Sequence, residues 1–340
     1  MITFDEFKKI SYGDWAEKTT KDLKGKDLKE VLNWQISESL TGEAYYDESL
    51  AKEAGYITDF FSEFKPDAWK LYEPIKAGDP STTNQEILNA LENGCDGIIL
   101  NSEDELPLPD WEIILKDVHT NICDVSFVSP ASEKILSAFS EYLIKTNKIL
   151  RSGLSFTSTG ENTIPGFRNI CIKDPNESDP VIKTSLQVKE VIHLLDKGGE
   201  EALKKAFIVI ESQPDFYLGV VRPRAIRFLL VAAAKSMNIE LDPKQVYIHA
   251  NPLQGKDYKE SMLQNTAIGM ANVIGGVNSI HFELGNEKPE GFSKRISRNI
   301  GNLMREESNM VFEKDPSAGS YFIDTITHQF CKEVWNRIKR

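Results

Sequence analysis

Two of the five histidines, His249 and His281, lie in short apolar runs (residues 246–250 and 277–282), and Glu211 closes a third run at 207–211. Imidazole and carboxylate together suit zinc or iron, and they can also share acid–base work, so these three residues define one candidate chemistry, an independent isomerase or metal-dependent hydrolase. A metal site would need further ligands near the first strand, where residues 70–75 offer only Glu73, so the plainer reading has both histidines hydrogen-bonded at strand ends and no metal bound. Asn101, Lys173, Asp174 and Glu283 also fall at the carboxyl ends of predicted strands. His119, His193 and His328 read as structural or solvated. No GxxxxGK(S/T), GxGxxG or GxSxG occurs, so nucleotide hydrolysis, dinucleotide binding and serine hydrolysis lack their motifs.

The elements that would position these residues alternate along the chain. Strand candidates cover 70–75, 97–101, 122–128, 153–157, 169–173, 207–211, 246–250 and 277–282. Between most of them the apolar period changes to that of a helix: 82–92, 111–118, 132–147, 181–197 (ended by Gly198-Gly199), 221–237 with Pro223 near its start, and 258–274 stopped by Gly275-Gly276. In the last of these, Leu263, Ala267, Met270, Ala271 and Ile274 recur at helical spacing, which predicts one apolar face made largely of small side chains. Eight strands separated by helices predict a (β/α)8 TIM-type barrel, in which chemistry gathers at the carboxyl ends of the strands. The 157–166 stretch is turn-like and leaves little room for a crossover helix, so the barrel is expected to be somewhat degenerate.

The barrel should occupy residues 66–290, preceded by an arm at 1–65 and followed by a helical extension at 291–340, with helices at 293–307 and from 323 to the end. In the arm, Ser11 and Asp14 predict a capping box for a helix starting near Tyr12. Its Trp15, Leu28, Val31, Leu32 and Trp34 are too few for an independent core and must pack either on the barrel or on a partner chain. With 40 basic and 52 acidic residues the net charge is −12, which argues against nucleic acid or anionic membrane as partner, and no basic patch is visible. No apolar run reaches the roughly 18 residues of a membrane helix, and the amino terminus lacks signal-peptide character. Cys95, Cys123, Cys171 and Cys331 are widely spaced, which suits a reducing cytoplasm.

Several unusual words then occur in one order: Asp257-Tyr258, Thr266, Gly275-Gly276-Val277-Asn278-Ser279, Arg295-Ile296-Ser297-Arg298-Asn299, Glu306-Glu307-Ser308 and Asp315-Pro316-Ser317-Ala318-Gly319-Ser320-Tyr321. Together they resemble the end of the barrel domain in methylmalonyl-CoA mutases. The likeness is strong over 220–330 and weaker over 67–180, and Asp22-Leu-Lys-Gly25 with Leu32-Asn-Trp34 is similar to the family's amino-terminal segment. Catalytic members carry a tyrosine in an Arg-Pro/Gln-Tyr-Ala-Gly-Phe-Ser segment at the first barrel strand. Aligned through Asn84 and Gly94, that position holds Pro74, while Tyr72 stands two residues early on the same face, about 7 Å away. The family's catalytic histidine follows the fifth strand, and Asn176 occupies its place with an amide that cannot act as a general acid.

No Asp-x-His-x-x-Gly occurs, so the family's cobalamin-binding domain is not recognisable in this chain. The resemblance therefore implies the small, non-catalytic subunit of a heterodimeric mutase. Adenosylcobalamin and the interconversion of succinyl-CoA and methylmalonyl-CoA would belong to the large subunit, and this chain would bind no cofactor itself. A homodimer is one state open to the chain when it is alone. If a coenzyme A pocket persists, the loop bearing His249, Asn251, Gln254, Lys256 and Tyr258 is the expected place, with Lys256 towards a phosphate.

Overall fold

The computed structural model describes residues 10–102, 110–129, 132–157, 164–253, 255–285 and 287–340. A small antiparallel hairpin, β1 (Trp34–Ser37) and β2 (Leu40–Gly42), precedes the main sheet. The sheet contains β3 (Lys70–Lys76), β4 (Gly97–Asn101), β5 (Asp124–Val128), β8 (Ile170–Ile172), β9 (Ala206–Glu211), β10 (Ile248–Asn251) and β11 (Ser279–His281). All pairings are parallel, in the order β5-β4-β3-β11-β10-β9-β8, which curls the sheet into a TIM-like barrel.

The remaining gap is bridged by two very short strands, β6 (Gly153–Leu154) and β7 (Phe167–Arg168), which pair with each other in parallel. Isolated bridges Asp124↔Ser152 and Phe127↔Ser155 join β6 to β5, and β7 runs into β8 across Asn169. This weak seam is where the sequence predicted a trimmed connection. The described part of that connection holds no helix, and residues 158–163 lie outside the described residues.

Alternation along the strands separates two cores. On β9, Ala206, Ile208 and Ile210 face the helices, while Phe207 and Val209 face the axis. β3 follows the same rule, with Leu71 and Ile75 outward and Tyr72 inward, as a side-chain period of two requires. Close contact needs glycine at the barrel wall: a Cβ on Gly97 would come within 2.7 Å of the Asp124 backbone and 3.1 Å of the Tyr72 ring.

Several helix boundaries differ from expectation. Trp111–Ile114 is a single turn rather than a helix through residue 118. Phe216–Ser236 starts five residues before the expected 221, because Asp215 caps it by accepting from the Leu218 N–H, and this leaves Pro223 inside. The carbonyls of Gly219 and Val220 there lie against Gly275, where a Cβ would approach within 2.9 and 2.7 Å. Pro180–Lys204 continues past the glycine pair, but Gly199, at φ 59° and ψ −152°, breaks it. Tyr258–Ile274 has the expected bounds and a different buried face. Leu263 is 67% exposed and Ala267 is also outward, while Ser261, Asn265, Ile268 and Asn272 are buried. The asparagines belong inside because they satisfy backbone and hydroxyl groups: Asn265 bonds to the Glu283 carbonyl at 2.9 Å and Asn272 to Ser212 Oγ at 2.9 Å.

The arm divides in two. Tyr12–Asp22 has the predicted capping box but buries no residue, and it meets the body through the Trp15 ring stacked on Tyr45 at 4.9 Å. From the hairpin onward the chain packs on its own body, with Ile57 and Phe61 buried beside the final helix, Tyr321–Ile338. Arg224 ties these parts together. Fully buried on Phe216–Ser236, it pairs with Asp315 at 2.7 Å and with Asp324, and lies 4.0 Å over the Phe61 ring. Asp324 also accepts from Thr58 Oγ1 and from the Gly319 N–H, each at 2.8 Å.

Truncating Arg224 would leave two buried carboxylates without their cation. Arg224→Ala should therefore lower unfolding free energy by roughly 3–5 kcal/mol in urea titrations. Lys145→Ala, which breaks a wholly exposed pair with Glu112, should leave the midpoint in place.

Candidate functional site

The barrel axis is filled. Tyr72, Ile99, Leu154, Phe207, Val209 and Tyr247 form one buried cluster along it, with Phe156 packed against them. Polar groups thread this cluster in sequence. Lys70 and Arg151 reach Asp124 at 2.6 and 3.1 Å at the amino-terminal end, and the Tyr72 hydroxyl donates to Asp124 at 2.6 Å. Tyr72 and Tyr247 share a hydrogen bond of 3.1 Å, and the Tyr247 hydroxyl also meets Ser279. Ser279 Oγ bonds to His249 Nδ1 at 2.8 Å, and His249 Nε2 bonds to His281 Nδ1 at 3.1 Å. The two imidazoles stack 5.3 Å apart.

Burial sets the protonation of this chain. It pushes the Tyr72 phenol well up and the Tyr247 phenol up to about 12. It also holds His249 well below the usual imidazole range, with His281 adding to the effect, and brings His281 down to about 4. Both histidines are thus neutral near pH 7, and each shared hydrogen bond needs one donor and one acceptor, as neutral rings supply.

Glu211 sits one layer nearer the mouth, in register with Asn251, and accepts from its Nδ2 at 2.7 Å. Among the described residues no three His, Cys, Asp or Glu side chains are placed to hold a metal ion. The loop residues expected to form a pocket do not converge. His249 is buried in the axis, Asn251 is held by Glu211, Lys256 is exposed, and the buried Tyr258 packs its ring against Phe292 at 5.9 Å. Gln254 lies outside the described residues. Asn176 is exposed in the loop after β8, and Pro74 on β3 lines a cleft of about 680 Å³ at the mouth together with Lys76, Asn101, Glu283 and Lys294. Burial raises the Glu283 carboxyl. Asp174 is locked by Arg222 at 2.6 and 2.9 Å, and Lys173 is exposed.

Sequence reading missed two arrangements. Arg298 pairs with the buried Glu73 at 2.7 Å, joining the helix Glu290–Asn302 to β3. At the amino-terminal end of the barrel, Lys70, Arg151, Arg168, Lys204, Lys205 and Lys244 surround a cavity of about 770 Å³. The expectation that the chain has no basic cluster is corrected to that extent. Apart from the adjacent Lys204 and Lys205 these cations are far apart in sequence, so no long local run signals them, and Asp124, Asp67 and Glu201 offset several.

Low-pH stability should report the axial histidines. A folded-state value near 4 for His281 against about 6.5 unfolded means the unfolded chain binds the proton first. Its contribution is therefore present above pH 6.5 and lost as pH falls towards 4, by roughly 3 kcal/mol. Urea unfolding of wild type and His281→Gln across that window should show a shallower loss in the variant.

A family model described as methylmalonyl-CoA mutase matches residues 200–340. Two relatives described as methylmalonyl-CoA mutase small subunit align with 98% of this chain, one from Porphyromonas gingivalis at 24% identity and one from Streptomyces virginiae at 22%. The chain covers 63% and 64% of those relatives' own lengths. The Porphyromonas gingivalis methylmalonyl-CoA mutase large subunit is 26% identical over 36% of this chain and 18% of its own length. The Gly275-Gly276 turn, the Arg298 pair and the Asp315–Tyr321 word all lie inside the matched region, so the carboxyl-terminal part of the chain is similar to methylmalonyl-CoA mutases.

Proposed function

We infer that the chain works as the small subunit of a heterodimeric methylmalonyl-CoA mutase and is a structural partner rather than a catalyst. The large subunit then holds adenosylcobalamin and interconverts succinyl-CoA and methylmalonyl-CoA in the cytoplasm. The observation that carries this reading is the occupied barrel axis: buried Tyr72, Phe207, Tyr247 and His249 take the volume that a substrate running along it would need. Pro74 at the expected tyrosine position and the exposed Asn176 at the expected histidine position support it, since neither side chain can exchange a proton near neutral pH. The names of the relatives that align with 98% of this chain support the small-subunit role, and an organism carrying both a small and a large subunit supports the pairing. No helix among the described residues is long and apolar enough to cross a membrane.

In this reading the small subunit stabilises its partner by mass action. The test mixes purified chain with the large mutase subunit of the same organism and follows co-elution and isomerase activity. A stable heterodimer is expected, with activity wherever the large subunit is present and none from this chain alone. Turnover by this chain alone, or failure to co-elute, refutes the proposal.

A further inference from the structure

Where the hairpin, the Phe216–Ser236 helix and the Tyr321–Ile338 helix meet, an open cleft of about 660 Å³ is walled by aromatic rings. Trp34 stands 6.0 Å from Phe322 and 6.2 Å from Tyr217, Tyr217 lies edge-on to Phe322 at 4.7 Å, and Tyr46 meets Phe322 at 5.0 Å. Three separate parts of the chain supply these rings. Gly42 on β2 makes room, because a Cβ there would come within 2.5 Å of the Trp34 ring. Tyr217 remains 43% exposed.

The polar lining is one-sided. Glu43 and Asp215 contribute carboxylates, and among the described residues no lysine or arginine lines the cleft. Asp215 uses one oxygen to cap its helix, at 3.0 Å from the Leu218 N–H. An aromatic wall presents the negative face of its rings, and carboxylates beside it deepen that potential. A planar guanidinium matches both features, stacking on a ring while its N–H groups reach a carboxylate, whereas a neutral apolar side chain would leave the acids unanswered. The chain's overall charge of −12 further favours a cationic approach.

We propose that this cleft is a docking socket for an arginine side chain of the large subunit. The owner of the arginine rests on the function proposed above; the cation selectivity rests on the cleft alone.

The full chain labelled with 5-fluorotryptophan allows both parts to be tested by fluorine NMR, with Trp34 assigned through Trp34→Phe. N-acetyl-L-argininamide should shift the Trp34 resonance with an affinity about fivefold or more above that of the neutral N-acetyl-L-citrullinamide. The double variant E43Q/D215N should abolish that preference, and it keeps the helix cap because asparagine also caps. Large subunit should displace the probe and should bind the double variant about tenfold more weakly. Equal response to the two probes, no response at Trp34, or unchanged preference in the double variant would overturn the socket. Co-elution with large subunit without displacement of the probe overturns its choice of occupant, as does self-association of this chain that the double variant abolishes. Absence of co-elution with displacement-free cation binding instead counts against the subunit reading and the named occupant together, and leaves the cation preference measured in its own right.

Discussion

The packing of the chain's ends onto the barrel depends on one buried cation. Arg224 faces Asp315 and Asp324 on the carboxyl-terminal side and the Phe61 ring on the amino-terminal side, with Thr58 completing the shell around Asp324. A charge withdrawn from water is tolerable only when it is paired and hydrogen-bonded, so each segment holds the others in place. The same geometry explains the Asp315–Tyr321 word. Asp315 accepts from the Ser317 N–H at 2.8 Å as well as from Arg224, and Ser320 caps the final helix. Residues that carry the likeness to the mutases thus organise the turn that brings the last helix back over the arm.

The barrel interior shows a second use of buried polarity. Its axis is sealed by aromatic and imidazole side chains linked by hydrogen bonds from Lys70 to His281, rather than by aliphatic side chains alone. Such a chain is sustainable because its members are neutral or paired, and it fixes ring orientations that a purely apolar plug would leave freer. The consequence for function is direct. Side chains on a barrel strand alternate between axis and helices, so Tyr72, two residues before Pro74, turns inward as well, but its hydroxyl points back to Asp124 and away from the mouth.

The two ends of the barrel differ in character. The mouth carries Pro74, Glu283, Lys76 and Lys294 around a mixed-charge cleft, while the amino-terminal end collects lysines and arginines around Tyr247, with Arg168 4.9 Å over its ring. Away from both, the aromatic cleft of Trp34, Tyr217 and Phe322 is made by elements outside the strand ring. The parts of the surface with the most distinctive chemistry therefore lie where separate segments meet, not within any one βα unit.

Sequence by itself determined the architecture: alternating periods marked the eight strand regions, one glycine pair marked a helix end and the other a break, and Ser11 with Asp14 marked a cap that the structure has. These signals are local, set by backbone conformation and by the period of burial, so they survive without knowledge of the neighbours. Tertiary structure decided the site. Periodicity shows which residues share a face, but which face turns inward depends on what the facing element offers; Leu263 went to solvent while Asn265 and Asn272 found partners inside. His249 and His281 were legible as strand residues of interest, yet their stacking, and their separation from Glu211, follow from register across β9, β10 and β11. The Arg224 cluster, the basic cavity and the aromatic cleft were not legible, because each joins residues remote in sequence whose charges and rings acquire meaning only when the closed fold brings them within a few ångströms of one another.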